Sequence, residues 1–266
     1  MSSAFSTFSP GTVGAARRYR LQQTSAGQHS DLLRGCAPVP SSDANLKQPT
    51  AEPRVHYIEH VLQSQCGSAL VTLTDADYAE FSHVKHVGAR GRSLVARALL
   101  RRALSEAVDG RLHWHEWAFE RSENGKPVLC NHLPQLHFSC THTHWASAIA
   151  ISVDGPVGID LEPSEISFDE SMIETFFSRR ERQAVNSLPL PDRSRAFTKL
   201  WTLKEAYLKL TGQGLSDDLR RIEFDLSDDD YAPPSRGTII ACSKFKTWQF
   251  LAGGRSLTAA LAVSRG

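Results

Sequence analysis

Absences narrow this 266-residue chain before any motif is read. It has no Cys-x-x-Cys pair, and its five cysteines (Cys36, Cys66, Cys130, Cys140 and Cys242) are an odd number. That fits neither a disulfide framework nor a zinc knuckle, so they read as cytosolic thiols and the expected location is cytoplasmic. No run of about 18 apolar residues exists, the longest candidates being 145–153 and 257–263, so no membrane partner is expected. An excess of one charge is missing too: 30 Lys and Arg face 29 Asp and Glu. A dedicated nucleic-acid binder usually carries a strong basic excess, so nucleic acid is not an expected partner.

The first 30 residues lack Asp and Glu altogether while holding six serines and Arg17, Arg18 and Arg20. This composition suits a transit peptide, a disordered extension or a misassigned start, and it has no secretory apolar core. Residues 1–54 are rich in Ser, Ala, Gln, Pro and Gly without a sustained apolar period, so they are expected to be disordered. The remaining 212 residues, with 24 basic and 26 acidic groups, are expected to form the folded part.

Within that part, 55–61 and 67–72 read as strands and Asp75 as a helix start. Residues 91–108 read as a helix, 114–119 as a strand and 123–127 as a turn built on Asn124-Gly125. A strand pair follows at 136–139 and 146–153, then a strand at 157–161. Helices are expected at 169–177, 179–187 and 196–211, and strands from Ile222, Gly237, Thr247 and Ser256 onward. Strands and helices thus come in two similar batches. The expected fold is α+β, with comparable halves at 55–156 and 157–266.

The most informative local feature is Gly158-Ile159-Asp160-Leu161-Glu162. In a strand, Asp160 and Glu162 share one face while Ile159 and Leu161 point to the core. Paired carboxylates repel unless a cation lies between them, and oxygen ligands without His or Cys favour magnesium. The same pentapeptide also reads as the solvated end of an edge strand. In 197–211, Leu200, Leu203, Tyr207 and Leu210 form one apolar stripe at 100° per residue, with Trp201, Glu205 and Lys209 on another face. Glu205 and Lys209 have the spacing of a helix-surface ion pair, or Glu205 supplies a third acid and Lys209 pairs a phosphate.

Gly158-Ile-Asp160-Leu-Glu162 followed about forty residues later by Trp201-Thr-Leu-Lys204-Glu205-Ala-Tyr-Leu-Lys209 resembles the paired signatures of the Sfp-type phosphopantetheinyl transferases. Gly125-Lys126-Pro127, His137-Phe-Ser139-Cys140-Thr141-His142 and Gly212-Gln-Gly214-Leu-Ser216 sit where that family has related elements. The resemblance implies a monomer whose two halves form a pseudo-dimer with the active site in the cleft between them. It implies transfer of phosphopantetheine from coenzyme A to a serine of an apo acyl, peptidyl or aryl carrier protein, with adenosine 3',5'-bisphosphate released. By resemblance, Asp160, Glu162 and Glu205 are magnesium ligands, Glu205 is also the base, and Lys209 holds the pyrophosphate. Arg92, Lys126, Thr141, His142 and, more loosely, Lys85 would contact coenzyme A. The usual Phe-Asn-x-Ser-His is altered here, since Ser139 replaces the Asn and Thr141 the Ser.

Competing readings remain open at this level. Cys140, His142 and His144 share a strand face and imitate a zinc ligand set. Residues 81–105 contain no acid and six basic residues; Arg90, Arg97 and Arg101 form a helical stripe that is either a solvated face or a docking surface for an acidic carrier. A magnesium-dependent nuclease or phosphohydrolase would use similar carboxylates, and a non-catalytic carrier-binding module would keep the same fold.

Overall fold

The structure, a computed structural model, describes residues 17–18, 53–60, 70–122, 125–130, 136–212, 219–226 and 244–264. Two sheets meet at the centre, one antiparallel and one antiparallel except for a short parallel edge pair, and each carries one long helix. Strands β1 (Arg17–Arg18), β2 (Arg54–Glu59), β5 (His137–His142) and β6 (Ala146–Ser152) form the first sheet in the order β1-β2-β6-β5. Strands β7 (Val157–Pro163), β8 (Lys244–Ala252) and β9 (Arg255–Val263) form the second in the order β7-β9-β8. A hairpin of β3 (Phe119–Arg121) and β4 (Pro127–Leu129) stands apart, with Gly125 at φ 75° in its turn.

Side-chain alternation explains the layers. On one face of the first sheet Phe138, Ile149 and Ile151 pack under helix α2 (Val87–Ala107), against Val95, Leu99, Leu100 and Leu104. On its other face Ala146, Ala148 and Ala150 meet Ile159, Leu161, Ala259 and Leu261 of the second sheet. The opposite face of that sheet, with Phe245, Ala260 and Ala262, is covered by helix α5 (Leu190–Thr211) through Leu200, Leu203, Tyr207 and Leu210. The apolar stripe expected in 197–211 is therefore the core side of α5. The helix stops at Gly212, which adopts φ 71°, a left-handed C-cap that costs glycine little.

Shorter helices complete the chain: α1 (Asp75–Glu80), α3 (Glu170–Phe176) and α4 (Arg179–Ser187). This is the α+β arrangement expected, with one long helix packed on each sheet. Several local expectations differ. Trp114–Glu116 is a 3-10 turn and not a strand, because the Glu116 carboxylate accepts from the His113 N–H at 2.6 Å while Arg101 holds the Trp114 and Trp117 carbonyls. Leu70 is helical and residues 71–72 form a turn, not a strand, and 67–69 lie outside the described residues. Leu219–Arg221 is another 3-10 turn, and the strand expected from Ile222 onward is reduced among the described residues to an isolated bridge at Glu223, while residue 237 lies outside them. Arg17–Arg18 pairs in parallel with His56 and Tyr57, so this part of the segment expected to be disordered contributes an edge strand.

Candidate active site

Strand β7 and helix α5 build the acidic end of the site. A Cβ on Gly158 would lie 1.9 Å from the Ala206 carbonyl oxygen and 2.6 Å from the Leu210 N, so the absence of a side chain there lets the helix lie directly on the strand. Two residues on, Asp160 faces α5 beside Ala260, and it is 4% exposed. Its Oδ1 receives the Lys209 ammonium at 2.7 Å and the Thr141 hydroxyl at 3.1 Å. Its Oδ2 is buried and has no hydrogen-bond partner.

Glu162 and Glu205 share that environment. Burial, reinforced by the Asp160 charge and opposed by Lys209, pushes the Glu162 carboxyl up to about 7; the Glu205 charge adds to the rise, and the Trp201 indole, which hydrogen-bonds Glu162, lowers it. Burial and Asp160 also raise Glu205. Trp201 is fixed for that contact between Phe176, edge-on at 5.1 Å, and Phe197, stacked at 6.2 Å. An unsatisfied carboxylate oxygen and two carboxyls resisting ionisation fit a hard dication, because added positive charge would relieve both. Among the described residues no three His, Cys, Asp or Glu side chains already converge as a ligand set. The acids interact as charges, with Lys209 on Asp160.

The basic end comes from the first half. A cleft of about 310 Å³ is lined by Lys126 and Pro127 of the hairpin, Phe138 and Cys140 of β5, and Glu205, Leu208 and Lys209 of α5. Lys126 donates to the Lys209 carbonyl at 3.0 Å, which ties the hairpin to α5, and burial holds its ammonium below the usual lysine range. His142 lies at the exposed end of β5 close to Arg92 and Lys209; burial first, then those two cations, lowers its pKa. The Arg92 guanidinium is 3.5 Å from His144 Nδ1.

The structure therefore brings Lys126, Thr141, Asp160, Glu162, Glu205 and Lys209 together, with His142 and Arg92 beside them. It does not bring in Lys85, which is exposed before α2 and forms no side-chain bond among the described residues. The zinc alternative at Cys140, His142 and His144 finds no ligand geometry there, and burial pushes the Cys140 thiol up to about 12.

The arginine stripe is corrected at two of its three members, Arg97 and Arg101, while Arg90 is half-buried in the first turn of α2. Arg97 and Arg101 are 5% and 2% exposed. Arg97 pairs with Asp77 at 2.9 Å and Glu80 at 2.7 Å, and Arg101 with Asp77 at 2.8 Å. They fasten α1 to α2 and offer nothing to a docking partner. Lys204, inside the Trp201–Lys209 motif, is likewise fully buried. It pairs with Glu181 at 2.9 Å and donates to the Leu219 and Ile222 carbonyls, holding the 219–222 turn against α5. Sequence reasoning also missed His60, whose Nε2 lies 2.9 Å from Ser147 Oγ and whose pKa burial lowers to about 4.

Two ammonium groups, Lys126 and Lys209, lining a cleft with Glu205 and bordered by the Asp160 carboxylate suit the handling of phosphate groups. Residues 156–262, which span β7, α5 and β9, match the family described as the 4'-phosphopantetheinyl transferase superfamily. The chain belongs to that superfamily. It is 36% identical over 142 residues to the 4'-phosphopantetheinyl transferase psf-1 of Bacillus pumilus, covering 53% of this chain and 58% of that protein. Similarity to the 4'-phosphopantetheinyl transferase HetI of a Nostoc strain is 30% over 168 residues, 62% of this chain and 70% of that protein. The human L-aminoadipate-semialdehyde dehydrogenase-phosphopantetheinyl transferase is 28% identical over 146 residues, 51% of this chain and 47% of that protein. The chain thus spans between 47% and 70% of the length of these relatives.

Proposed function

We propose that this protein transfers 4'-phosphopantetheine from coenzyme A to a serine of an apo carrier protein. The observation that carries the proposal is the meeting of Asp160, Glu162, Glu205 and Lys209 where α5 crosses β7, at the edge of a cleft with a second ammonium, Lys126.

Transfer to phosphorus needs charge neutralisation and in-line positioning more than covalent help from the protein. Asp160, Glu162 and Glu205 would hold magnesium, which when bound supplies positive charge at the pyrophosphate. Lys209 exchanges Asp160 for a pyrophosphate oxygen and stays beside the leaving bisphosphate. Lys126 faces the same phosphates, while His142 and Arg92 take the nucleotide's phosphate at the far end. Glu205, with its raised pKa, accepts the proton from the carrier serine. The serine oxygen then bonds to the pantetheine-side phosphorus. The bond from that phosphorus to the bridging oxygen breaks, and adenosine 3',5'-bisphosphate leaves with the electron pair.

Because residues of both proposed halves, 55–156 and 157–266, contribute to the cleft, one chain suffices, and we assign it as a monomer. Its place is with the coenzyme and carriers in the cytoplasm. No helix among the described residues is long and apolar enough to cross a membrane. The test is mass spectrometry of apo acyl, peptidyl and aryl carrier proteins after incubation with the protein, coenzyme A and magnesium. One added phosphopantetheine is expected. Unmodified carriers of all three types, or hydrolysis of coenzyme A without transfer, would overturn the assignment.

A further inference from the structure

The two sheets meet without a shared backbone ladder. Two hydroxyls on one face of β5 cross the junction instead. The Ser139 hydroxyl accepts from the Ile159 N–H at 3.1 Å, and the Thr141 hydroxyl donates to Asp160 Oδ1, also at 3.1 Å. Both residues are buried, at 2% and 6% exposure. Asp160 Oδ1 thus takes two donors, Thr141 and Lys209, while the buried Oδ2 takes none.

We infer that Thr141 is a positioning residue for Asp160: its hydroxyl, supplied by the opposite half, holds the carboxylate so that Oδ2 faces the cation site. The inference rests on Asp160 being a cation ligand, as proposed above. The two donors on Oδ1 differ in kind. Lys209 is a long, flexible side chain, part exposed, whose ammonium is needed at the phosphates. Thr141 is short, β-branched and buried at the penultimate position of β5, so few rotamers are open to it. An outer hydrogen bond that fixes one oxygen of a ligating carboxylate orients the other and strengthens its hold on a metal. The threonine hydroxyl is therefore spent on the carboxylate rather than on a phosphate, the role that resemblance implied.

The experiment measures manganese binding to the full chain by titration calorimetry, without coenzyme A or carrier. Thr141→Val should weaken manganese about tenfold, Thr141→Ser should restore it, and metal-free coenzyme A affinity should not change. Ser139→Ala, which removes the neighbouring crossing bond, should lower the melting temperature but leave manganese affinity alone. Wild-type manganese affinity in Thr141→Val, or an equal loss in Ser139→Ala, overturns the inference. A loss of coenzyme A affinity in Thr141→Val does so too, in favour of the phosphate role. If Thr141→Val fails to fold, Thr141→Ala is compared with Thr141→Ser by the same criteria. Asp160→Asn separates the two levels. If it loses manganese while Thr141→Val keeps it, only the positioning role fails; if neither loses it, the cation-site reading fails as well.

Discussion

The backbone of Ala206 occupies the space where a side chain on Gly158 would go, with 1.9 Å between the Ala206 oxygen and an ideal Cβ. Neither partner can yield cheaply, since one is a helix carbonyl and the other the backbone of the buried strand β7. Gly158→Ala should therefore destabilise the protein by about 3 kcal/mol, the upper range for overpacking, and should remove transfer activity by lifting Glu205 and Lys209 off Asp160. Chemical denaturation and the carrier assay measure the two effects. A stable, active variant would mean that α5 does not rest on β7 as described.

Asp160→Ala and Glu205→Ala should each lower turnover by about a hundredfold or more with the fold intact by circular dichroism. With Glu205 as both base and cation ligand, as proposed, raising magnesium should recover Asp160→Ala further than Glu205→Ala. Near-normal rates for either variant at limiting magnesium would count against the ligand assignment.

Arg101→Glu is expected to act on stability. It places a carboxylate beside Asp77 and leaves the Trp114 and Trp117 carbonyls without their donor. Breaking a buried pair in this way costs about 3–5 kcal/mol, read as a lower denaturant midpoint. Carrier affinity of the molecules that remain folded should be unchanged, and a selective loss of carrier binding in a stable variant would reinstate the docking role.

Glu162 makes stability depend on pH. Its folded pKa of about 7 lies above the usual 4.5, so between those values the folded protein binds more protons than the unfolded chain. Stability from this group is then present below about pH 4.5 and declines as pH rises toward 7. Magnesium, which competes with that proton, should raise the melting temperature more at pH 8 than at pH 5.5. Glu162→Gln should flatten both trends; identical pH profiles for variant and wild type would remove Glu162 as the cause.

Much of the site was legible because two periods exposed it. Period two in 158–162 put Asp160 and Glu162 together, and 100° per residue put Glu205 and Lys209 opposite the Leu200–Tyr207 stripe. The same helical arithmetic misread Arg97 and Arg101. A wheel shows which charges share a face, not what that face meets, and their acids sit on α1 some twenty residues earlier. The one available signal was Thr74-Asp75-Ala76-Asp77, a helix start whose Asp77 closes a capping box with Thr74. The Thr141 to Asp160 bond had no sequence signal, because it joins strands of different sheets.

The junction between the sheets has a mechanical consequence. A backbone ladder would tie the two halves by many bonds, whereas here the alanine face of one sheet packs on Ile159, Leu161, Ala259 and Leu261 of the other and two hydroxyl bonds cross near Asp160. A displacement of one half against the other would therefore be felt at the Asp160 carboxylate, which takes one donor from β5 and one from α5.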